Sequence, residues 1–222
     1  MHTFNIVMDL RDILADPRDQ GERGTCVAFA VTTCHEQHRN TDTYLSEEFL
    51  YCCCKTIDRN NEDGTRFDSA FVALENWGQA QGTLLPYNAK QNPILPISFD
   101  KKVIDDASQR KVKGIKSSEN LLTAFEQIIK AEGSIAIGVQ IYECFFTPLK
   151  GYIDTPGMEK PMGGHAILLV GYGIRSDHKK YFIIRNSWGK DWGDEGYAYL
   201  SYEYVEKYMI GNAWYISRRN AS

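Results

Sequence analysis

The chain lacks any apolar run of about 18 residues, and its N-terminus lacks the basic, apolar and cleavage-site layout of a signal peptide. A membrane partner is therefore not expected, and a cytoplasmic protein, or one delivered without a signal peptide, is favoured. Neither sign of charge is in excess. The 25 Lys and Arg are interspersed with 29 Asp and Glu, leaving a formal net charge of −4 and no basic surface for nucleic acid. Internal repeats and low-complexity tracts are also missing. Cysteines are few and unpatterned: the six at 26, 34, 52, 53, 54 and 144 do not follow a secreted-scaffold spacing. Disulfides are not expected, and a reducing compartment follows. The contiguous Cys52, Cys53 and Cys54 would point in different directions on a helix and lack a second ligand pair, so they read as small buried hydrophobes rather than metal ligands. No metal and no cofactor is implied.

What is present is core-forming material. With 222 residues, 43% hydrophobic and 12% aromatic, the chain can bury one large core or two lobes. Val27, Ala30, Val31 and Cys34 recur at helical steps after Thr25, a candidate N-cap, so Cys26 falls in a first turn. There the free amides and the positive dipole end favour a thiolate. Ser46 caps a second helix with Glu47 and Glu48 in its first turn. Asp68 or Ser69 opens a third through Phe71, Leu74 and Trp77, and residues 118–132 form a fourth, closed by Gly133. Beyond Gly133 come short β-branched and aromatic runs at 134–141, 165–172, 181–185, 197–202 and 213–217. A helical half followed by a strand-rich half predicts an α+β chain whose texture changes near residues 100–116.

Three segments carry chemistry: Asp16-Pro17-Arg18-Asp19-Gln20-Gly21-Glu22-Arg23-Gly24-Thr25-Cys26-Val27-Ala28-Phe29-Ala30, Gly163-Gly164-His165-Ala166, and Arg185-Asn186-Ser187-Trp188-Gly189. Together they offer an amide donor, a thiol at a helix start, an imidazole and a carboxamide to orient it. This combination resembles the papain-like cysteine peptidases, and most closely compact bacterial-type members. Further echoes are Asp9-Leu10-Arg11, the segment 45–50, Tyr87 after Pro86, Val170-Gly171-Tyr172-Gly173, and Trp192-Gly193-Asp194-Glu195-Gly196-Tyr197. His165 lies 165 − 26 = 139 residues past the cysteine, inside the window of about 130–150 for that family. Asn186 lies 186 − 26 = 160 past it, an excess assigned to a longer hairpin loop at 175–180.

The resemblance implies a single catalytic domain over 1–222. Its helical lobe, approximately 1–110, and its antiparallel β-rich lobe, 111–222, would enclose an active-site cleft. It implies Cys26 as nucleophile, His165 as base, Asn186 as the group orienting the base, and Gln20 as oxyanion donor. Gly64, Thr65, Phe67, Ala166, Asn212 and Trp188 would be substrate-binding. The implied reaction is peptide hydrolysis through a thioester. The alternatives are amide hydrolysis or acyl transfer by the same chemistry, or a silent peptide-binding module. Partners would be a polypeptide substrate and an inhibitor protein or propeptide-like regulator outside this chain. Only eight residues precede Asp9, so the expectation is a chain without an inhibitory propeptide, either a processed or engineered form or an enzyme made without one.

The chain departs from the family pattern beside the nucleophile. Arg23 stands where the family has a cysteine, and Glu62 where that cysteine's disulfide partner would stand. The expectation is an ion pair between Arg23 and Glu62 or Asp63, worth about 0–1 kcal/mol if exposed. His35 and His38 read as solvated or structural.

Overall fold

The computed structural model describes residues 3–39, 43–117 and 121–217. In chain order its elements are β1 (Phe4–Asp9), α1 (Cys26–Arg39), α2 (Glu47–Asp58), α3 (Phe67–Asn76), α4 (Lys101–Ser108), β2 (Gly114–Lys116), α5 (Leu122–Ala131), β3 (Ile135–Ile141), α6 (Glu143–Phe146), β4 (Tyr152–Ile153), β5 (Gly163–Arg175), β6 (Lys180–Arg185), β7 (Tyr197–Ser201), α7 (Tyr202–Tyr208) and β8 (Met209–Ile216). They form two compact units. One joins Gln20–Ile115 to Ile216–Ser222, and the other joins Met1–Asp19 to Lys116–Tyr215. No helix among the described residues is long and apolar enough to cross a membrane.

The helical unit is built on α1, which is buried nearly all round, Val27, Ala28, Phe29, Ala30, Val31 and Cys34 together with the polar Thr32, Thr33, His35 and Glu36. α2 starts where its cap dictates: the Phe49 amide donates to Ser46 Oγ at 2.9 Å, with Glu47 and Glu48 at the positive dipole end. α3 begins at Phe67, ahead of the expected Asp68 or Ser69. The Ser69 hydroxyl donates instead to Asp58 Oδ1 at 2.5 Å, tying α3 to the end of α2. α4, not expected from the sequence, buries only Val103 and Ala107.

In the other unit the sheet runs β8-β3-β5-β6-β7-β4, with β1 also pairing β5. This pairing corrects the expected division at residue 110, because Phe4 to Asp9 bond antiparallel to β5 and join residues 1–19 to the β-rich unit. β5 is continuously buried from His165 to Val170, as a strand covered on both faces must be. Its register sets Val139 opposite His165 and Gly138 opposite Ala166. The β5–β6 connection is the expected hairpin: the Arg175 amide donates to Lys179 O at 2.9 Å, and His178 takes a φ of 66° at the turn. Of the helix expected at 118–132, residues 118–120 lie outside the described residues and the observed helix is α5. The strand expected through 202 ends at Ser201, whose hydroxyl accepts the Tyr204 amide at 3.2 Å and starts α7.

Candidate active site

The side chains expected to carry the chemistry fall into two groups, one in each unit. In the helical unit, Cys26 is the first residue of α1 and is half-buried. The Thr25 carbonyl accepts the first helical bond, from Phe29 N at 3.1 Å, so Thr25 occupies the cap position expected of it. Its hydroxyl bonds Tyr87 Oη at 2.7 Å. Gln20, 6% exposed, donates from Nε2 to the Arg23 carbonyl at 2.7 Å. Its own backbone carbonyl accepts the Tyr87 hydroxyl at 2.7 Å. A primary amide carries two N–H donors, and one hydrogen of Gln20 Nε2 holds the loop.

Arg23 does not take the partner expected of it. Its guanidinium is buried, bonds Glu48 at 2.6 Å and 3.3 Å, and also donates to the Asn88 carbonyl and, at 3.0 Å, to Asn92 Oδ1. The rings of Tyr51 and Tyr87 lie 5.1 Å and 5.0 Å from its Cζ. Burial works against its charge, yet the bonds to Glu48 leave its pKa above the ordinary arginine value. The pair with Glu62 or Asp63 is thus corrected to a pair with Glu48, because α2 turns that carboxylate inward while Glu62 and Asp63 are exposed. The energetic expectation changes with it, since removing one partner of a buried pair costs about 3–5 kcal/mol.

Asp63 has a separate task. Its carboxylate accepts the Gly24 amide at 2.8 Å, tying the loop before the nucleophile to residues 60–65. The buried Lys55 ammonium holds that second loop from below, donating to Asn60 Oδ1 at 2.7 Å, Glu62 O at 2.7 Å and Gly64 O at 3.0 Å. Gly64 has a φ of 94°, a conformation that favours glycine. Thr65 donates its hydroxyl to Asp58 at 2.7 Å, and Phe67 opens α3, half-buried. Sequence reasoning did not single out Lys55, Asp63 as a partner of Gly24, or Asn92. The one available signal was a lysine on the apolar face of α2, one turn from Tyr51 and Cys52.

In the β-rich unit, His165 Nε2 and Asn186 Oδ1 are 2.7 Å apart. The same oxygen accepts the Ser187 amide at 2.8 Å, which fixes the carboxamide's orientation. An oxygen only accepts, so Nε2 carries the ring hydrogen and Nδ1 is the basic nitrogen. Asn186 Nδ2 is buried with no hydrogen-bond partner, so the residue works through its oxygen. Burial pushes the imidazole down to about 4, against the raising effect of the Asn186 bond. Trp188 lies over the ring at 4.7 Å between centroids, and Phe145 meets it edge-on at 5.9 Å. Phe145 is held by Trp192, whose Nε1 donates to its carbonyl at 3.0 Å. Nothing in the sequence marked Phe145. Ala166 is buried beside His165 on β5, and Asn212 is half-buried on β8. Among the described residues no group of three or more His, Cys, Asp or Glu is arranged to hold a metal ion.

The chain matches the family model "Papain family cysteine protease" over residues 6–217. It is 32% identical over 200 residues to Cysteine proteinase 3 of Entamoeba histolytica, covering 87% of this chain and 62% of that protein. The chain thus spans less than two thirds of that relative's length. Among solved structures, xylellain from Xylella fastidiosa superposes with a TM-score of 0.84 at 23% identity, covering 97% of this chain and 87% of that one. Procathepsin L 3 of Tenebrio molitor superposes with a TM-score of 0.77 at 23% identity, over 95% of this chain and 69% of that one. The likeness to these structures is one of fold, α+β and papain-like, and the family model spans both units. The chain belongs to the papain family of cysteine proteases.

Proposed function

We propose that this chain is an active cysteine endopeptidase in which Cys26, His165, Asn186 and Gln20 carry the reaction. The observation that carries the reading is the buried His165–Asn186 bond, which fixes the imidazole tautomer with Nδ1 as its base. The start of α1 at Cys26 supports it further, because a helix N-terminus favours a thiolate.

In this mechanism the Cys26 sulfur attacks the amide carbon while its proton is held on His165 Nδ1. The carbonyl electrons move to oxygen, and the oxyanion takes hydrogen bonds from the Gln20 carboxamide and the Cys26 backbone amide. As the oxyanion collapses, the C–N bond breaks and His165 gives the proton to the leaving amine. Water, deprotonated by His165, then hydrolyses the thioester and restores the thiol. Asn186 keeps the ring in one orientation throughout, and Trp188 shields their bond from solvent. Gly64, Thr65, Phe67, Ala166, Asn212 and Trp188 are the proposed substrate contacts. The partners are polypeptides: a substrate and, given that one solved structural neighbour is a procathepsin, a propeptide-like or inhibitory chain.

The test is cleavage of a peptide library by the purified chain and by Cys26→Ala. Internal cleavage by the first and none by the second is expected. Equal cleavage by both, or none by either, would overturn the reading.

A further inference from the structure

The nucleophile loop of the helical unit contains a buried guanidinium that is not among the reacting groups. Arg23 is 5% exposed, and every side of its head group is occupied. Glu48 takes both terminal nitrogens, Asn92 takes Nε, and the Asn88 carbonyl takes a further N–H. The two aromatic faces of Tyr51 and Tyr87 flank it. Its backbone carbonyl is the acceptor of Gln20 Nε2 at 2.7 Å and of the Thr25 amide at 2.8 Å. Tyr87, stacked by the guanidinium, donates its hydroxyl to the Gln20 backbone carbonyl. Gln20 is therefore gripped at both ends by groups that converge on Arg23.

We infer that Arg23 is a positioning residue: anchored by Glu48 and the two tyrosine rings, its carbonyl and Tyr87 aim the Gln20 carboxamide at the developing oxyanion. This rests on the peptidase reading above and adds a residue to it. A carboxamide that donates to a carbonyl is held only as firmly as that acceptor is fixed. The acceptor is fixed here because the side chain of the same residue is locked by ionic, hydrogen-bond and stacking contacts at once. A lysine would keep the charge but lose the fork to Glu48 and the planar face between the rings.

The experiment measures two reactions of one thiol. Hydrolysis of a peptide amide develops an oxyanion, whereas alkylation of Cys26 by iodoacetamide displaces iodide at saturated carbon and develops none. For Arg23→Met we expect kcat on the peptide to fall about 10–100-fold, less than the about 10²–10³ that losing an oxyanion donor outright costs. KM and the alkylation rate should hold. In a Gln20→Ala background the same substitution should have little further effect on kcat, because both changes act through one donor. Arg23→Lys and Tyr87→Phe, milder changes that cover the case in which Arg23→Met does not fold, should show the same pattern with smaller falls.

Alkylation falling in step with kcat would assign Arg23 to the integrity of the whole loop and overturn the inference. So would an unchanged kcat, or full additivity with Gln20→Ala. A wild-type chain that alkylates at Cys26 but cleaves no peptide would instead overturn the underlying reading, which keeps the two failures apart.

Discussion

His165 and Asn186 share one short hydrogen bond, 2.7 Å from ring Nε2 to carboxamide Oδ1, while the Ser187 amide occupies the same oxygen at 2.8 Å. Removing the oxygen therefore frees the ring and strands an amide. Asn186→Ala is expected to lower kcat about 10–100-fold, a smaller effect than Cys26→Ala, which leaves no nucleophile. Steady-state kinetics on one peptide substrate checks this. An Asn186→Ala enzyme with wild-type kcat would remove Asn186 from the mechanism.

Thiol chemistry should single out one cysteine of six. Cys34, Cys52, Cys53 and Cys54 are buried, and Cys26 and Cys144 are half-buried. Burial and the nearby Glu159 push the Cys144 thiol up to about 11, and burial and Glu48 push Cys52 up to about 12. At mildly acidic pH, iodoacetamide is expected to modify Cys26 well before Cys144, with mass spectrometry of the digested protein as the readout. Comparable labelling of Cys144 would contradict it.

Gly24 is where two backbones meet. A Cβ there would lie 2.7 Å from Gly64 N and 2.9 Å from Asp63 Cγ. Gly24→Ala should cost about 1–3 kcal/mol through overpacking and should disturb both the Asp63 clasp and turnover. Gly157→Ala, with nothing within 4 Å of the added methyl, is the control and should leave melting unchanged. Equal melting temperatures for the two variants would refute the close-approach argument.

Acid should weaken the fold earlier than carboxylate protonation alone would. Burial holds His35 down to about 3, despite its bond to Gln79, and His165 down to about 4, both from an ordinary 6.5. In each case the unfolded chain accepts a proton that the folded chain refuses. Stability is full above pH 6.5 and is lost as pH falls from 6.5 towards 4 and 3. Denaturant midpoints of Cys26→Ala, chosen so that no self-cleavage intervenes, should decline from pH 6.5 to pH 4. A flat profile across that interval would count against both buried neutral imidazoles.

The parts of the molecule legible in the sequence are those decided within a few residues. Ser46 ahead of Glu47 and Glu48 announces α2 because capping is local. The long apolar run of β5 and the hairpin at 175–180 were legible for the same reason. Gln20, Cys26, His165 and Asn186 could be singled out as candidates because residue type and order survive translation into a string. What escaped depends on long-range contacts. Phe4 to Asp9 becomes a strand by pairing with β5 more than 160 residues away. Tyr202, the first residue of α7, reads as strand until the Ser201 cap is seen. Arg23 was matched to Glu62 by alignment with a disulfide, whereas its carboxylate partner is on α2, 25 residues along the chain. α4 gave no signal because its short, charged sequence buries two side chains.

The Asp63 clasp, the Lys55 ammonium under Gly64 and the Arg23–Glu48 pair tie the loops around Cys26 entirely by polar contacts, and none of the six cysteines is in a disulfide. A thiol nucleophile is assayed with a thiol reagent such as dithiothreitol, which in a cystine-braced protein would also cut the braces. Here such a reductant has no crosslink to open. Melting behaviour should therefore be indifferent to dithiothreitol concentration and, because Arg23, Glu48 and Lys55 are buried, only weakly sensitive to ionic strength.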